Sequence, residues 1–199
     1  MAERVDLLII GNGVAGNNAA LTARRTNPDM SVMILSQERH PEYAAPALPD
    51  YLSGELTKEK VLVNTFESYA QHGIQVRLND EAVEIRPEEH LVLTASGAEY
   101  MYGKLIVATG SFPIQLRRMK GTSPPGNFVL KTIDDVEAMV VYPGKQAVVV
   151  GSGAIGLEGA LGLKERGYEK VTIVEALDWI NMKSFDRETA DETVRALRE

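Results

Sequence analysis

At 199 residues and 44% hydrophobic content, the chain has room for one large domain or two small ones and ample material for a buried core. A net charge of −7 and a pI near 5.1 argue against nucleic acid or an acidic membrane surface as the main partner, because phosphate groups attract clustered Lys and Arg. The absence of cysteine excludes a disulfide framework, a thiolate zinc site, an iron–sulfur cluster ligated by cysteines of this chain and a dithiol relay of its own.

Residues 5–10 are apolar apart from Asp6, a run of the kind buried on both faces of a parallel sheet, and Gly11 ends it. The run is too short for the core of a signal peptide and enters a glycine turn directly, so the cytoplasm is the expected compartment. Small and apolar residues at helical spacing predict a helix over 14–25, stopped by Asn27-Pro28-Asp29. A strand over 31–36 then completes a strand–helix–strand unit. Pro41, Pro46, Pro49, Tyr43 and Tyr51 mark residues 37–62 as an ordered irregular loop with one short helix. Thr65, as N-cap facing Ser68, opens a helix that Gly73 ends.

Segments at 74–78, 81–86, 90–95 and 100–102, separated by turn residues, predict a small antiparallel meander. Residues 105–108 read as a further short buried strand ending at Thr109-Gly110. A loop rich in Gly and Pro over 121–126 leads to a helix around 133–141, with Asp134 and Asp135 in the first turn where the helix dipole favours them. The opening design then repeats: strand 146–150, glycine turn, helix 154–166, Gly167, strand 170–175. A charged amphipathic helix over 186–198, with Asp186 as N-cap, follows. The best candidate for a membrane span, 147–163, is glycine-rich, holds Glu158 and falls short of the roughly 20 residues that cross a bilayer.

The two turns, Gly11-Asn12-Gly13-Val14-Ala15-Gly16 and Gly151-Ser152-Gly153-Ala154-Ile155-Gly156, carry dinucleotide fingerprints. In the first, Gly11 permits the tight turn, Gly13 lets a pyrophosphate approach the backbone, and Gly16 lets helix and strand pack closely. The helix N-terminus supplies N–H groups and a partial positive charge. A glycine turn without ligand is the alternative, and the flanking strand and helix weigh against it. Two such sites on one chain point to electron transfer between a flavin and a nicotinamide. The carboxylate for the first adenosine ribose falls imperfectly: Glu38 is the better candidate and Gln37 a helper, or both are solvated loop groups. Glu175 stands close to the ribose position of the second unit, roughly 20 residues past its glycines. A carboxylate there accepts from the 2′-hydroxyl of NADH and repels the 2′-phosphate of NADPH, and no Arg follows it over 176–180, so NADH is the expected nucleotide. The alternative is a surface Glu at a strand end. Glu158 is either a buried carboxylate at the nucleotide site or a partly exposed Glu favouring the helix dipole. His40, His72 and His90 lack metal-like spacing, so surface positions and no metal site are expected. Trp179 reads as packing.

Gly11–Gly16, Ala108-Thr109-Gly110-Ser111-Phe112-Pro113, Gly151–Glu158 and Val171–Ala176 together resemble the FAD-dependent pyridine nucleotide-disulfide oxidoreductase superfamily. The closest likeness is to its cysteine-independent branch of NADH:rubredoxin and ferredoxin reductases and the flavin domain of NADH-nitrite reductase. The resemblance implies an α/β fold: a Rossmann-like FAD-binding domain over 1–113, made of a parallel sheet and an antiparallel β-meander, a connecting segment over 114–144, and the first half of a second Rossmann-like, NAD-binding domain over 145–199. It implies that Ala108-Thr109-Gly110 borders the FAD, that Ala82-Val83 meets the adenine through backbone, and that Ile155 and Glu158 sit beside the nicotinamide. Tyr43–Tyr51 is similar to the flavin-facing loop in which thiol-dependent members carry their redox cysteine; Pro46 stands in that place, which removes sulfenic-acid and disulfide chemistry. Ala45 and Asp50 stand near positions that are Arg and Lys in ferredoxin-reductase-like members.

The resemblance therefore implies hydride transfer from NADH to FAD and electron transfer to an external acceptor: a small iron protein, a quinone or oxygen. Glu158 is the candidate catalytic residue. Members run to roughly twice this length, so an incomplete FAD domain and a truncated NAD domain are expected. The alternative is a catalytically silent fragment or split subunit that binds nucleotide weakly and forms a homo-oligomer or joins a chain supplying the other half.

Overall fold

The computed structural model describes residues 2–114 and 126–198; the loop expected over 121–126 lies outside them except for Gly126. In chain order the first elements are β1 (Glu3–Ile10), α1 (Val14–Thr26), β2 (Val32–Leu35), a 3₁₀ turn (Ala45–Ala47), α2 (Leu48–Ser53), α3 (Lys58–Val61), α4 (Phe66–Gln71) and β3 (Ile74–Arg77). Next come β4 (Ala82–Arg86), a 3₁₀ turn (Pro87–Glu89), β5 (Leu91–Thr94), β6 (Glu99–Val107), α5 (Ile133–Val141), β7 (Gln146–Val150), α6 (Ala154–Glu165), β8 (Lys170–Val174) and α7 (Arg187–Arg198). Two compact units emerge: Met1–Ala44 with Leu62–Phe112, and Ala45–Val61 with Pro113–Glu199. The segment at 45–61, expected as part of the first domain, thus packs with the second unit.

The first unit is built on a six-stranded sheet of order β3-β2-β1-β6-β5-β4. β1 pairs in parallel with β2 and β6, and β2 with β3. β5 is antiparallel to both β4 and β6. Alternation along β1 and β2 sends Leu8, Ile10, Met33 and Leu35 to one face and Leu7, Ile9, Val32 and Ile34 to the other. Both faces are covered, which is why these strands read as unbroken apolar runs. Ala20 of α1 and Tyr69 of α4 pack on the second face. Thr65 caps α4, accepting from Ser68 N–H at 3.2 Å.

Two expectations are corrected. Residues 74–77 join the parallel sheet beside β2 rather than the meander, which consists of β4, β5 and the start of β6. Residues 100–102 and 105–108 are not separate strands: β6 runs through both, pairing with β5 on one side and with β1 on the other.

In the second unit the loop at 45–61 holds two short helices where one was expected. α2 packs against α5 and α6. Thr132 and Asp135 close a capping box on α5, with Thr132 Oγ1 accepting from Asp135 N–H at 3.1 Å and Asp135 Oδ2 accepting from Thr132 N–H at 2.8 Å. β7 and β8 pair in parallel with α6 between them in sequence. Asp186 precedes α7 and accepts from Thr189 N–H at 2.8 Å. Trp179 is a packing residue: Nε1–H donates to Phe185 O at 3.0 Å and Arg187 lies over the ring. Among the described residues no helix is long and apolar enough to cross a membrane.

Candidate functional site

The two glycine turns share one construction, each within its own unit. Gly13 is the N-cap of α1 and Gly153 that of α6. Gly11 N–H donates to Leu35 O and Gly151 N–H to Val174 O, both at 2.8 Å, tying each turn to the end of the following strand. Gly11 and Gly151 have φ of +114° and +98°, the left-handed side that favours glycine. A Cβ on Gly16 would strike the carbonyl oxygen of Gly11, and one on Gly156 that of Gly151, so each helix meets its turn at backbone distance. By contrast a Cβ on Gly13 or Gly153 would meet nothing within 4 Å. Open space therefore faces two helix N-termini that no side chain caps. Free N–H groups and room are what a pyrophosphate requires, so the residues fit a dinucleotide at each turn.

Around the first turn, Val14 is 70% exposed and Ala15 is exposed beside it. Ala108 N–H donates to Ile10 O at 2.7 Å, and a Cβ on Gly11 would strike Ala108 O, so Ala108-Thr109-Gly110 borders this turn. Ser36 directly follows β2; Gln37 is exposed, and Glu38 is half-buried with Oε2 accepting from Tyr43 Oη at 2.6 Å. Asn79 N–H bonds Glu38 O and Asp80 N–H bonds Ser36 O, each at 3.0 Å, so the loop carrying Glu38 is fastened to the turn before β4, where half-buried Ala82 and exposed Val83 begin the meander.

Beneath the first turn lies a buried polar network that the sequence reading missed. Asn17 Nδ2 donates to Asn12 O at 2.8 Å and to Gly13 O at 3.1 Å, and Tyr69 Oη donates to Asn12 Oδ1 at 3.0 Å. Asn12 Nδ2 reaches His40 O at 3.1 Å, and Asn64 Nδ2 reaches Glu42 Oε2 at 2.6 Å. Burial pushes the Glu42 carboxyl up, opposed by the Asn64 bond. The available signal was Asn17, a polar residue on the face of α1 that otherwise buries Gly16 and Ala20. His40 is buried, contrary to the expected surface position, and its carbonyl is tied to this network through Asn12.

At the second turn Glu175 directly follows β8 and is held by four hydrogen bonds from its own chain. Its Oε2 accepts from Ser152 N–H at 2.9 Å and from Ser152 Oγ–H at 2.5 Å; its Oε1 accepts from Ala176 N–H at 2.7 Å and Leu177 N–H at 3.0 Å. The Ser152 hydroxyl first, then these backbone donors, hold the carboxyl down at about 2.

A cleft of about 280 Å³ in the second unit is lined by residues that include Pro46, Leu48, Leu130, Lys131, Ile155 and Glu158. Pro46 comes from the 3₁₀ turn at 45–47, Lys131 from the approach to α5, and Ile155 and Glu158 from α6. The structure thus brings together the residue that was read at the redox-cysteine position and the two that were read beside the nicotinamide. Ile155 is 64% exposed and Glu158 is exposed, so the buried form of the Glu158 expectation is corrected: it lines an open wall. Nor does Glu158 lie in the first turn of α6, which holds no acidic residue. Lys131 was missed, since nothing local to it marks a site.

A sequence profile of the pyridine nucleotide-disulphide oxidoreductases matches residues 5–199. The 5,5'-dehydrodivanillate O-demethylase ferredoxin reductase subunit of Sphingobium sp. is 39% identical over 176 residues, covering 87% of this chain and 42% of that protein. The nitrite reductase (NADH) large subunit of Escherichia coli is 33% identical over 171 residues, 84% of this chain and 20% of that one. Among solved structures, a ferredoxin reductase from Rhodopseudomonas palustris superposes with a TM-score of 0.86 at 27% identity, covering 96% of this chain and 47% of its own. The chain therefore spans less than half the length of these relatives. Fingerprints, sheet order and profile agree: the chain belongs to the pyridine nucleotide-disulphide oxidoreductase family, a family of flavin- and NAD(P)H-dependent oxidoreductases.

Proposed function

We propose that the protein takes hydride from NADH onto FAD and passes electrons to an external acceptor without a cysteine of its own. FAD, when bound, supplies the step from two-electron hydride chemistry to one-electron transfer. The chain's residues bind, orient and tune. Gly11–Gly16 and Ala108-Thr109-Gly110 hold the flavin dinucleotide, with Glu38 and Gln37 toward its ribose and Ala82-Val83 toward its adenine. Gly151–Gly156 and Glu175 hold NADH. Pro46 and Ile155 would supply apolar surface to the bound rings, and Glu158 would offer a hydrogen-bond acceptor beside the nicotinamide. The observation that carries this reading is the cleft shared by Pro46, Ile155 and Glu158. The relatives named as ferredoxin reductases favour a small iron–sulfur protein as acceptor.

Purified protein is expected to be yellow and to bleach anaerobically with NADH, faster than with NADPH. Glu158→Gln is expected to slow that bleaching about tenfold, the order of one charge-assisted hydrogen bond. Stopped-flow reduction at the wild-type rate in this variant would remove Glu158 from the mechanism. A second reading, a silent subunit that associates with itself or with a chain supplying further domains, is favoured by the apolar face of β7–β8, where Val148, Val150 and Val174 are 66%, 58% and 48% exposed. Colourless protein that neither binds FAD nor bleaches selects this second reading.

A further inference from the structure

The middle residue of each Gly-x-Gly points away from the space where a pyrophosphate fits and toward the loop after the second strand of its unit. Asn12 is 8% exposed and reaches His40 O at 3.1 Å; Ser152 is fully buried and reaches Glu175 and Asn181. We propose that Ser152 is a positioning and specificity residue: its hydroxyl clamps the Glu175 carboxylate, and the loop behind it, in the orientation that accepts an adenosine ribose and rejects a 2′-phosphate. This rests on the reading of Gly151–Gly156 and Glu175 as the NADH site.

Three observations carry the clamp. First, Ser152 Oγ works in both directions at once, donating to Glu175 Oε2 at 2.5 Å and accepting from Asn181 N–H at 3.1 Å. Asn181 is in turn a corner, with φ of +46° and a carbonyl that accepts from Ser184 and Phe185 N–H at 2.8 and 2.9 Å. One buried hydroxyl therefore joins the glycine turn, the ribose-facing carboxylate and the fold of the 176–185 loop. Second, Ser152 holds Oε2 through both its N–H and its Oγ–H, while Oε1 rests on Ala176 N–H and Leu177 N–H, the oxygen at which a ribose hydroxyl would enter by displacing one of these exposed donors. The side chain cannot swing without breaking several bonds together. Third, the Ser152 bond is the foremost cause of the depressed Glu175 carboxyl, the mark of a hydroxyl that holds the ionised group directly.

The test is Ser152→Ala, with Glu175→Ala and the double variant, read by calorimetric binding of NADH and NADPH and by carbon-13 NMR titration of the Glu175 carboxyl. In Ser152→Ala, NADH affinity is expected to fall about tenfold, NADPH affinity to change far less, and the Glu175 midpoint to rise from about 2 toward the ordinary 4.5. In the Glu175→Ala background the same serine change is expected to have no further effect on NADH, because the clamp then has nothing to hold. Unchanged NADH affinity and selectivity in Ser152→Ala, or an equal loss in the Glu175→Ala background, overturns the proposal. Wild-type protein that binds neither nucleotide overturns the underlying NADH reading instead, and an unmoved Glu175 midpoint then overturns the clamp by itself.

Discussion

The carboxyl group of Glu42 is held beneath a glycine turn at 6% residue exposure, with Asn64 Nδ2 on one oxygen, and burial raises its pKa above the ordinary 4.5. Between 4.5 and the raised value the folded protein keeps a proton that the unfolded chain has released, so the group's stabilising contribution is complete below 4.5 and is lost as pH climbs through the folded value. Glu42→Gln keeps the acceptor for Asn64 and removes the charge. Urea unfolding from pH 4 to 8 is expected to show a flatter stability profile for this variant, with equal or greater stability than wild type at the alkaline end; a parallel profile would show that Glu42 does not titrate in this window. Residue by residue, legibility followed local constraint. Gly11 and Gly151 were readable because their positive φ demands glycine, Gly16 and Gly156 because a Cβ would strike the turn's carbonyl oxygen, and Glu175 because strand length fixes where the loop begins. Ser152, Asn12, Glu42 and Lys131 were not, because a variable position in a motif or a lone polar residue in a loop acquires meaning only from what folds against it.

Packing between elements follows the same logic at α6, whose sequence carries more glycine than a solvent-facing helix needs. Gly162 presents a surface on which a Cβ would lie 2.8 Å from Pro49 O of α2 and 3.6 Å from Ser53 N. Backbone cannot yield as a side chain can, so Gly162→Ala is expected to cost about 1–3 kcal/mol in thermal or chemical unfolding, despite the gain in helix propensity. At Gly159 the obstacle is the end of the Leu130 side chain at 3.2 Å, which can shift. Gly159→Ala is therefore expected to lie within about 1 kcal/mol of wild type. Equal costs at the two positions would show that the α2–α6 contact does not set the limit. Periodicity and caps revealed α1, α4, α5 and α6 in the sequence. They could not reveal that 45–61 belongs with α6, nor that 74–77 pairs in parallel with β2, since a strand of four residues takes its partner from topology rather than from its own pattern.

For the molecule as a whole, the two units bury apolar surface unequally. The β1–β2 sheet has both faces covered, whereas the β7–β8 pair shows one covered face and one open: Ala147, Val149, Val171 and Ile173 are half-buried, while Val148, Val150 and Val174 stand out among Gln146, Lys170 and Thr172. Three valines on one flat face, two of them on adjacent positions of the same strand side, form an apolar patch beside unpaired strand edges, which is the arrangement that drives self-association. The 199-residue polypeptide is accordingly expected to show concentration-dependent association in sedimentation velocity at micromolar concentrations. Val148→Lys with Val174→Lys should shift it toward monomer, and because both side chains are already exposed, the unfolding midpoint should move little. The doubly charged variant distinguishes this face from other exposed apolar groups such as Phe112 and Ile114, which it leaves untouched. Persistence of association in that variant assigns the contact to those groups, and a wild type that stays monomeric shows that the polar rim of Gln146, Lys170 and Thr172 suffices to keep the open face in water.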